Sequence, residues 1–190
     1  MEDKTNKSTA RIIQEIIQVI LVALVLAILI RIFFLEAFLV PSTSMESTLQ
    51  PGDQVLVWKF LYNRKIPVLN KKTALGFPVR RKDIIVIRMN EDENLIKRVI
   101  GLAGDRVILK EGQVHVNGRL LKEPYLRIDP SFQYLPTRFD VPGRHYFVMG
   151  DFRANSKDSR DFGFIPENKI TGRAILIYYP FSRIKVLHHE

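Results

Sequence analysis

The run IIQEIIQVILVALVLAILIRIFFL, residues 12–35, constrains this chain more than any other stretch. From Val19 to Ile30 it contains no polar residue, and counted from Ile12 it gives nineteen residues before Arg31. As a helix that length covers ~28 Å, close to the ~30 Å hydrocarbon core of a bilayer. Gln14, Glu15 and Gln18 fall toward one end, where headgroups solvate them, and Arg31 can snorkel at the other. Lys4, Lys7 and Arg11 precede the run, whereas no Lys or Arg occurs from Ile32 to Trp58. That asymmetry puts the N-terminus in the cytoplasm. The competing reading is a cleaved secretory leader. Its apolar core would be ~7–15 residues and end in an A-x-A-like site, which Leu35-Glu36-Ala37 matches poorly. The expected organisation is a cytoplasmic N-terminus over 1–11, one transmembrane anchor over 12–34 and an extracytoplasmic domain over 35–190.

Past the anchor the periodicity changes. Short β-like runs alternate with turn signals: Gln54–Phe60, Asp83–Arg88, Leu95–Ile100, Arg106–Lys110, Gln113–Val116, His145–Met149 and Ala174–Tyr179. Glu111-Gly112 and Asn117-Gly118 fit tight hairpin turns. No long amphipathic helix follows the anchor. The predicted fold is mainly β: one transmembrane helix, then a single folded-sheet or barrel-like domain.

The formal net charge is +9, and a basic chain suits nucleic acid, anionic lipid or acidic partners. No nucleic-acid-reading motif is present, so with a membrane segment nearby anionic phospholipid is the simpler partner. Residues 63–82 carry seven basic residues and no acid, interleaved with apolar ones. They read as a loop lying on lipid or as a solvated surface loop. The chain has no cysteine, which excludes a disulfide framework but leaves the compartment open. CxxC, HExxH, GxxxxGK[ST] and GxGxxG are all missing, so zinc, P-loop and dinucleotide readings lack support. Neither metal nor cofactor is expected.

Between Phe38 and Asp53 lies FLVPSTSMESTLQPGD, with three serines and two threonines between Pro41 and Pro51. A serine nucleophile needs a base and an oxyanion stabiliser. His115 and His145 sit in strand-like segments and His188 and His189 in the C-terminal tail, so none marks a catalytic loop. A Ser-His-Asp triad stays open on spacing alone. Lysine is the other candidate base. Alternation along LIKRVI sets Lys97 on one face with Leu95 and Val99. Among apolar side chains its pKa would fall from ~10.4 toward roughly 7–8, where it could act as a base. On a one-sided sheet it would instead point into water and be ordinary.

Four stretches, in order, resemble the bacterial type I signal peptidases, membrane-anchored Ser-Lys endopeptidases that remove signal peptides from exported preproteins. They are PSTSMESTL (Pro41–Leu49) with Gly52-Asp53, RKDIIVI (Arg81–Ile87), IKRVIGLAGDRV (Ile96–Val107) and GDFRANSKDSRDFGFIPENKITGRA (Gly150–Ala174). The resemblance implies Ser44 as nucleophile, Lys97 as general base and Ser42 as an oxyanion donor beside the Ser44 backbone N–H. It implies that Ser156 hydrogen-bonds and orients Lys97, that Asp158 and Arg160 form a supporting ion pair, and that Asp151 and Arg153 shape the same region. Phe38, Val40, Pro41, Met45 and Ile96 are implied to line shallow subsites for small residues at −1 and −3 from the cut. The implied location is the outer face of a bacterial cytoplasmic membrane, with preproteins as partners and contact with the secretion translocon an open expectation. Phe152 and Ala154 depart from the family's usual Asn and Asp, and Lys82 stands where a glycine is common. A self-cleaving Ser-Lys repressor is the alternative enzyme, and an anchored β-domain that only binds partners is the alternative outside catalysis.

Overall fold

The structure is a computed structural model that describes residues 2–59, 78–91, 93–126 and 133–188. The chain divides into two units, Met1–Glu36 and Ala37–Glu190. The first is dominated by α1 (Glu2–Phe33). Its window Arg11–Ile30 has mean hydropathy 2.7 and none of it is buried in the protein, so it is long and apolar enough to cross a membrane.

The second unit is antiparallel β. Its larger sheet runs β1 (Leu35–Leu39), β2 (Gln54–Lys59), β11 (Ile170–Tyr179), β3 (Ile84–Arg88), β4 (Asn94–Gly101), β9 (His145–Met149) and β10 (Ile165–Pro166), with β12 (Lys185–Val186) added on β11. The smaller sheet is ordered β7 (Arg119–Leu120), β6 (Gln113–Val116), β5 (Arg106–Lys110) and β8 (Thr137–Asp140). The mainly β prediction therefore holds. Both hairpin turns form as expected, with φ of 52° and 71° at Glu111-Gly112 and 54° and 79° at Asn117-Gly118. Positive φ at both central residues matches the strand twist.

Several boundaries differ from the sequence reading. β11 begins at Ile170 rather than Ala174, because Ile170, Gly172 and Arg173 already pair with β3. β3 begins one residue after Asp83, whose carboxylate accepts the Arg80 amide at 2.8 Å. Phe60 and residues 63–77 of the basic loop lie outside the described residues, as does the side chain of Arg31. At the loop's described end, Lys82 has φ of 73°. That left-handed backbone gives a physical reason for a glycine there.

β4 is the organising strand. It lies between β3 and β9, and its residues from Ile96 to Gly101 are all buried. Ile96 packs with Val40, Met45 and Leu49, Ile100 with Val107 and Phe147, and Val99 with Ile85 and Val148. One strand thus feeds three apolar clusters, and alternation along it no longer separates core from solvent. At β11, Gly172 closes against β2: an added Cβ would sit 2.3 Å from Trp58 O. Gly172→Ala is expected to cost ~1–3 kcal/mol, whereas Gly143→Ala, with nothing within 4 Å of the new Cβ, should stay near neutral. Thermal unfolding of the full chain in detergent, followed by circular dichroism, separates the two.

Candidate active site

Loop 40–53 is closed at its base by Val40 N donating to Asp53 O at 2.8 Å and Gly52 N to Val40 O at 3.0 Å. Within it a 3₁₀ turn spans Thr43–Met45. Met45 (1% exposed) and Leu49 (0%) anchor that turn in the core, so the hydroxyls around them are held at fixed positions. Arg183 clamps the far end through Asp53, with Nε to Oδ1 at 2.8 Å and Nη2 to Oδ2 at 3.0 Å.

Lys97 projects from β4 and is 3% exposed. Its Nζ donates to Ser44 Oγ at 2.7 Å, although the two lie 53 residues apart in sequence. Burial lowers the Lys97 pKa from 10.5 to about 8, because the charged ammonium loses water. Asp158 pulls it back up, Arg160 pushes it down, and Asp151 and Asp161 pull it up more weakly. The outward-facing, ordinary lysine of the alternative reading is excluded by this burial. Ser42 Oγ lies 3.2 Å from Ser44 Oγ. Among the described residues no histidine hydrogen-bonds a serine: His145 Nδ1 lies 2.9 Å from Gly143 O, and His115 Nδ1 is buried without a partner.

The segment Gly150–Arg160 faces this pair. Phe152 N donates to Ser44 O at 3.1 Å, and Asn155 Nδ2 donates to Thr43 Oγ1 at 2.9 Å. A Cβ on Gly150 would meet Ser156 Oγ at 2.2 Å and Ser44 O at 2.5 Å, so glycine alone permits this approach. Asp158 accepts from Gly150 N at 2.9 Å and pairs with Arg160 Nε at 2.8 Å, the ion pair expected from the sequence. The Ser156 hydroxyl donates to Asp158 Oδ2 at 2.8 Å. It makes no hydrogen bond to Lys97 here, so the structure does not bring those two together directly. Phe152 and Ala154 leave this framework to backbone groups: Phe152 contributes its N–H to Ser44 and Asp158 is still satisfied.

Asp151 is fully buried and pairs with Arg98, with Nε to Oδ1 at 2.8 Å and Nη2 to Oδ2 at 2.7 Å. Thr48 Oγ1 donates to Asp151 Oδ2 at 2.6 Å, which ties the serine loop to the same pair. Arg98 lies inside the Ile96–Val107 motif, where the resemblance assigns it no role, yet two adjacent cations on a strand buried on both faces imply a buried carboxylate for at least one. Arg153 pairs with Glu123, each about 5% exposed. Burial opposes the Arg153 charge, but Glu123 and Tyr134 outweigh it and raise its pKa. Glu123 lies in a segment without periodic pattern, and nothing in the sequence points to it.

Val40, Pro41, Met45 and Ile96 line a small depression of ≈ 30 Å³ together with Ser42, Ser44, Asn94, Leu95 and Lys97. Phe38 packs on the core cluster beneath but does not line the depression. A buried amine whose pKa is lowered to about 8, 2.7 Å from a fixed hydroxyl, is within reach of that hydroxyl's proton, and a small depression lies beside the pair.

Residues 13–179 match the family model for signal peptidase, peptidase S26. A probable signal peptidase I-2 of Synechocystis sp. is 38% identical, over 83% of this chain and 69% of that protein. The signal peptidase I of Bacillus caldolyticus is 36% identical, over 81% of this chain and 85% of that one. That of Pseudomonas aeruginosa is 34% identical, over 84% and 74%. An apolar anchor helix, a mostly antiparallel β unit and this match over most of the length agree, and the chain belongs to the signal peptidase I family of S26 serine peptidases.

Proposed function

We propose that the chain removes signal peptides with a Ser-Lys dyad in which Ser44 is the nucleophile and Lys97 the general base. The observation that carries this reading is the 2.7 Å contact between Lys97 Nζ and Ser44 Oγ inside a dry site. Uncharged Lys97 takes the Ser44 proton as Oγ attacks the scissile carbonyl carbon. The tetrahedral oxyanion accepts hydrogen bonds from the Ser42 hydroxyl and the Ser44 backbone N–H. The Lys97 ammonium then gives its proton to the leaving amine, which becomes the N-terminus of the released protein. Lys97 next deprotonates water as it attacks the Ser44 ester. The resulting ammonium returns that proton to the departing Ser44 Oγ, which frees the signal peptide as its carboxylic acid and restores both the hydroxyl and the neutral amine.

The shallow depression beside Ser44 suits small residues at −1 and −3, with Val40, Pro41, Met45 and Ile96 as its walls and Phe38 supporting them from the core. Ser156 acts on Lys97 through Asp158, the carboxylate it donates to and the one that most favours the ammonium. Asp158–Arg160, Asp151 and Arg153 hold the frame. The charge asymmetry around α1 supports a cytoplasmic N-terminus over 1–11, a span over 12–34 and a catalytic unit outside a bacterial cytoplasmic membrane from 35 onward. The net charge of +9 supports anionic phospholipid as a partner surface. Preproteins delivered by the translocon are the substrates. An enzyme tethered to their own membrane replaces a bulk search with a local one.

Three outcomes test this reading on a preprotein substrate in detergent. Ser44→Ala and Lys97→Ala should each lower kcat on the order of 10³-fold or more; full activity in either refutes the dyad. kcat/KM should climb with pH through about 8, since the lysine is inactive while protonated and active once neutral. A profile that declines from about pH 6 to about pH 8 excludes a lysine base. Ser42→Ala should cost ~10²–10³ in kcat with KM little changed; unchanged kcat removes Ser42 from the oxyanion site.

A further inference from the structure

We propose that Glu123 is a positioning residue for the Ser44–Lys97 pair, acting through Arg153 to hold the Gly150–Asp158 turn against the nucleophile loop. The inference rests on the dyad reading above.

Glu123 and Arg153 meet face to face. Arg153 Nη1 donates to Glu123 Oε2 at 3.1 Å, and Nη2 donates to Oε1. Each partner is fixed from a second side: Tyr125 Oη donates to Glu123 Oε1 at 2.8 Å, and Arg153 Nη1 donates to Tyr134 Oη at 2.7 Å. With its outer edge so held, the guanidinium aims Nε at Gly150 O, 3.0 Å away. Phe152, between Gly150 and Arg153, is the residue whose N–H reaches Ser44 O. The placement of Arg153 therefore sets the placement of the backbone that Ser44 leans on.

Residues 123–125 touch the other two parts of the site as well. Ser47 Oγ, from the nucleophile loop, donates to Tyr125 O. The Arg98 guanidinium lies over the Tyr125 ring, 3.8 Å from its centroid, and Arg98 follows Lys97 on β4. One short strap thus contacts the serine loop, the lysine strand and the Gly150–Asp158 turn. A buried ion pair is a poor way to gain stability, because desolvation offsets most of the attraction. What a two-bond guanidinium–carboxylate fork supplies is direction.

Glu123→Gln keeps shape but removes the charge that orients Arg153. Purified full-length protein in detergent, cutting a preprotein, is the assay. Glu123→Gln is expected to lose ~10- to 100-fold in kcat, the penalty of a misplaced reacting group. KM should stay within about twofold, because Glu123 does not line the pocket for small residues. Arg153→Gln should behave alike, and the double variant should be no slower than the slower single, since one residue acts through the other. Melting curves accompany each rate, and the double variant, free of any unpaired buried charge, should stay folded with kcat still low. The role is overturned if folded Glu123→Gln keeps kcat within about twofold, if the two losses multiply, or if single and double variants all unfold together, which assigns the pair to fold stability alone. Ser44→Ala runs alongside. Cleavage surviving there sinks the dyad itself, whereas cleavage lost there and normal in Glu123→Gln sinks only the role of Glu123.

Discussion

An amine and a hydroxyl 2.7 Å apart, with the amine 3% exposed, set the terms for the rest of the β unit. The amine must be kept from water, or its pKa would stay at 10.5 instead of falling to about 8. It must also be free of a direct carboxylate partner, or the ion pair would hold the proton on it. β4 meets both demands. It is central in the larger sheet, packed on both faces, and the acids nearest in effect, Asp158 and Asp151, are occupied by Arg160 and Arg98. The amine feels those carboxylates only at a distance, so burial remains the larger influence.

The surroundings are unusually ionic for a protein interior. Arg98–Asp151, Arg153–Glu123 and Arg160–Asp158 all have side chains that are mostly or wholly buried. Apolar replacements would pack at least as stably by general energetics. Each pair, however, leaves one further bond that fixes backbone or loop: Thr48 on Asp151, Gly150 O on Arg153, Gly150 N on Asp158. The charges exchange stability for angular definition of the loop and turn around Ser44.

Much of this was legible in the sequence, for identifiable reasons. The anchor follows from uninterrupted apolarity, and the strands β5, β6 and β9 fall where alternation and turn residues placed them. Ser44 and Lys97 were legible because short motifs carry them. β1, β8 and β10 were not, since each is brief, β1 and β8 carry exposed residues, β10 is only two residues long, and pairing rather than pattern makes each a strand. Glu123, Tyr125 and Tyr134 belong to a connection with no period at all. Their partners lie 19 to 30 residues away or more, so only the folded chain reveals them. Ser156 shows a different limit. A motif names the residue, while the choice between Lys97 and Asp158 as its partner depends on ångström-scale placement.

The serine-rich loop 40–53 is written early in the chain, and its clamps are written late. Thr48 waits for Asp151, 103 residues on; Thr43 for Asn155, 112 residues on; Asp53 for Arg183, 130 residues on. During synthesis the serine therefore emerges long before anything can aim it. The loop is thus set in place only once turns more than a hundred residues downstream, around Asp151, Asn155 and Arg183, have folded against it.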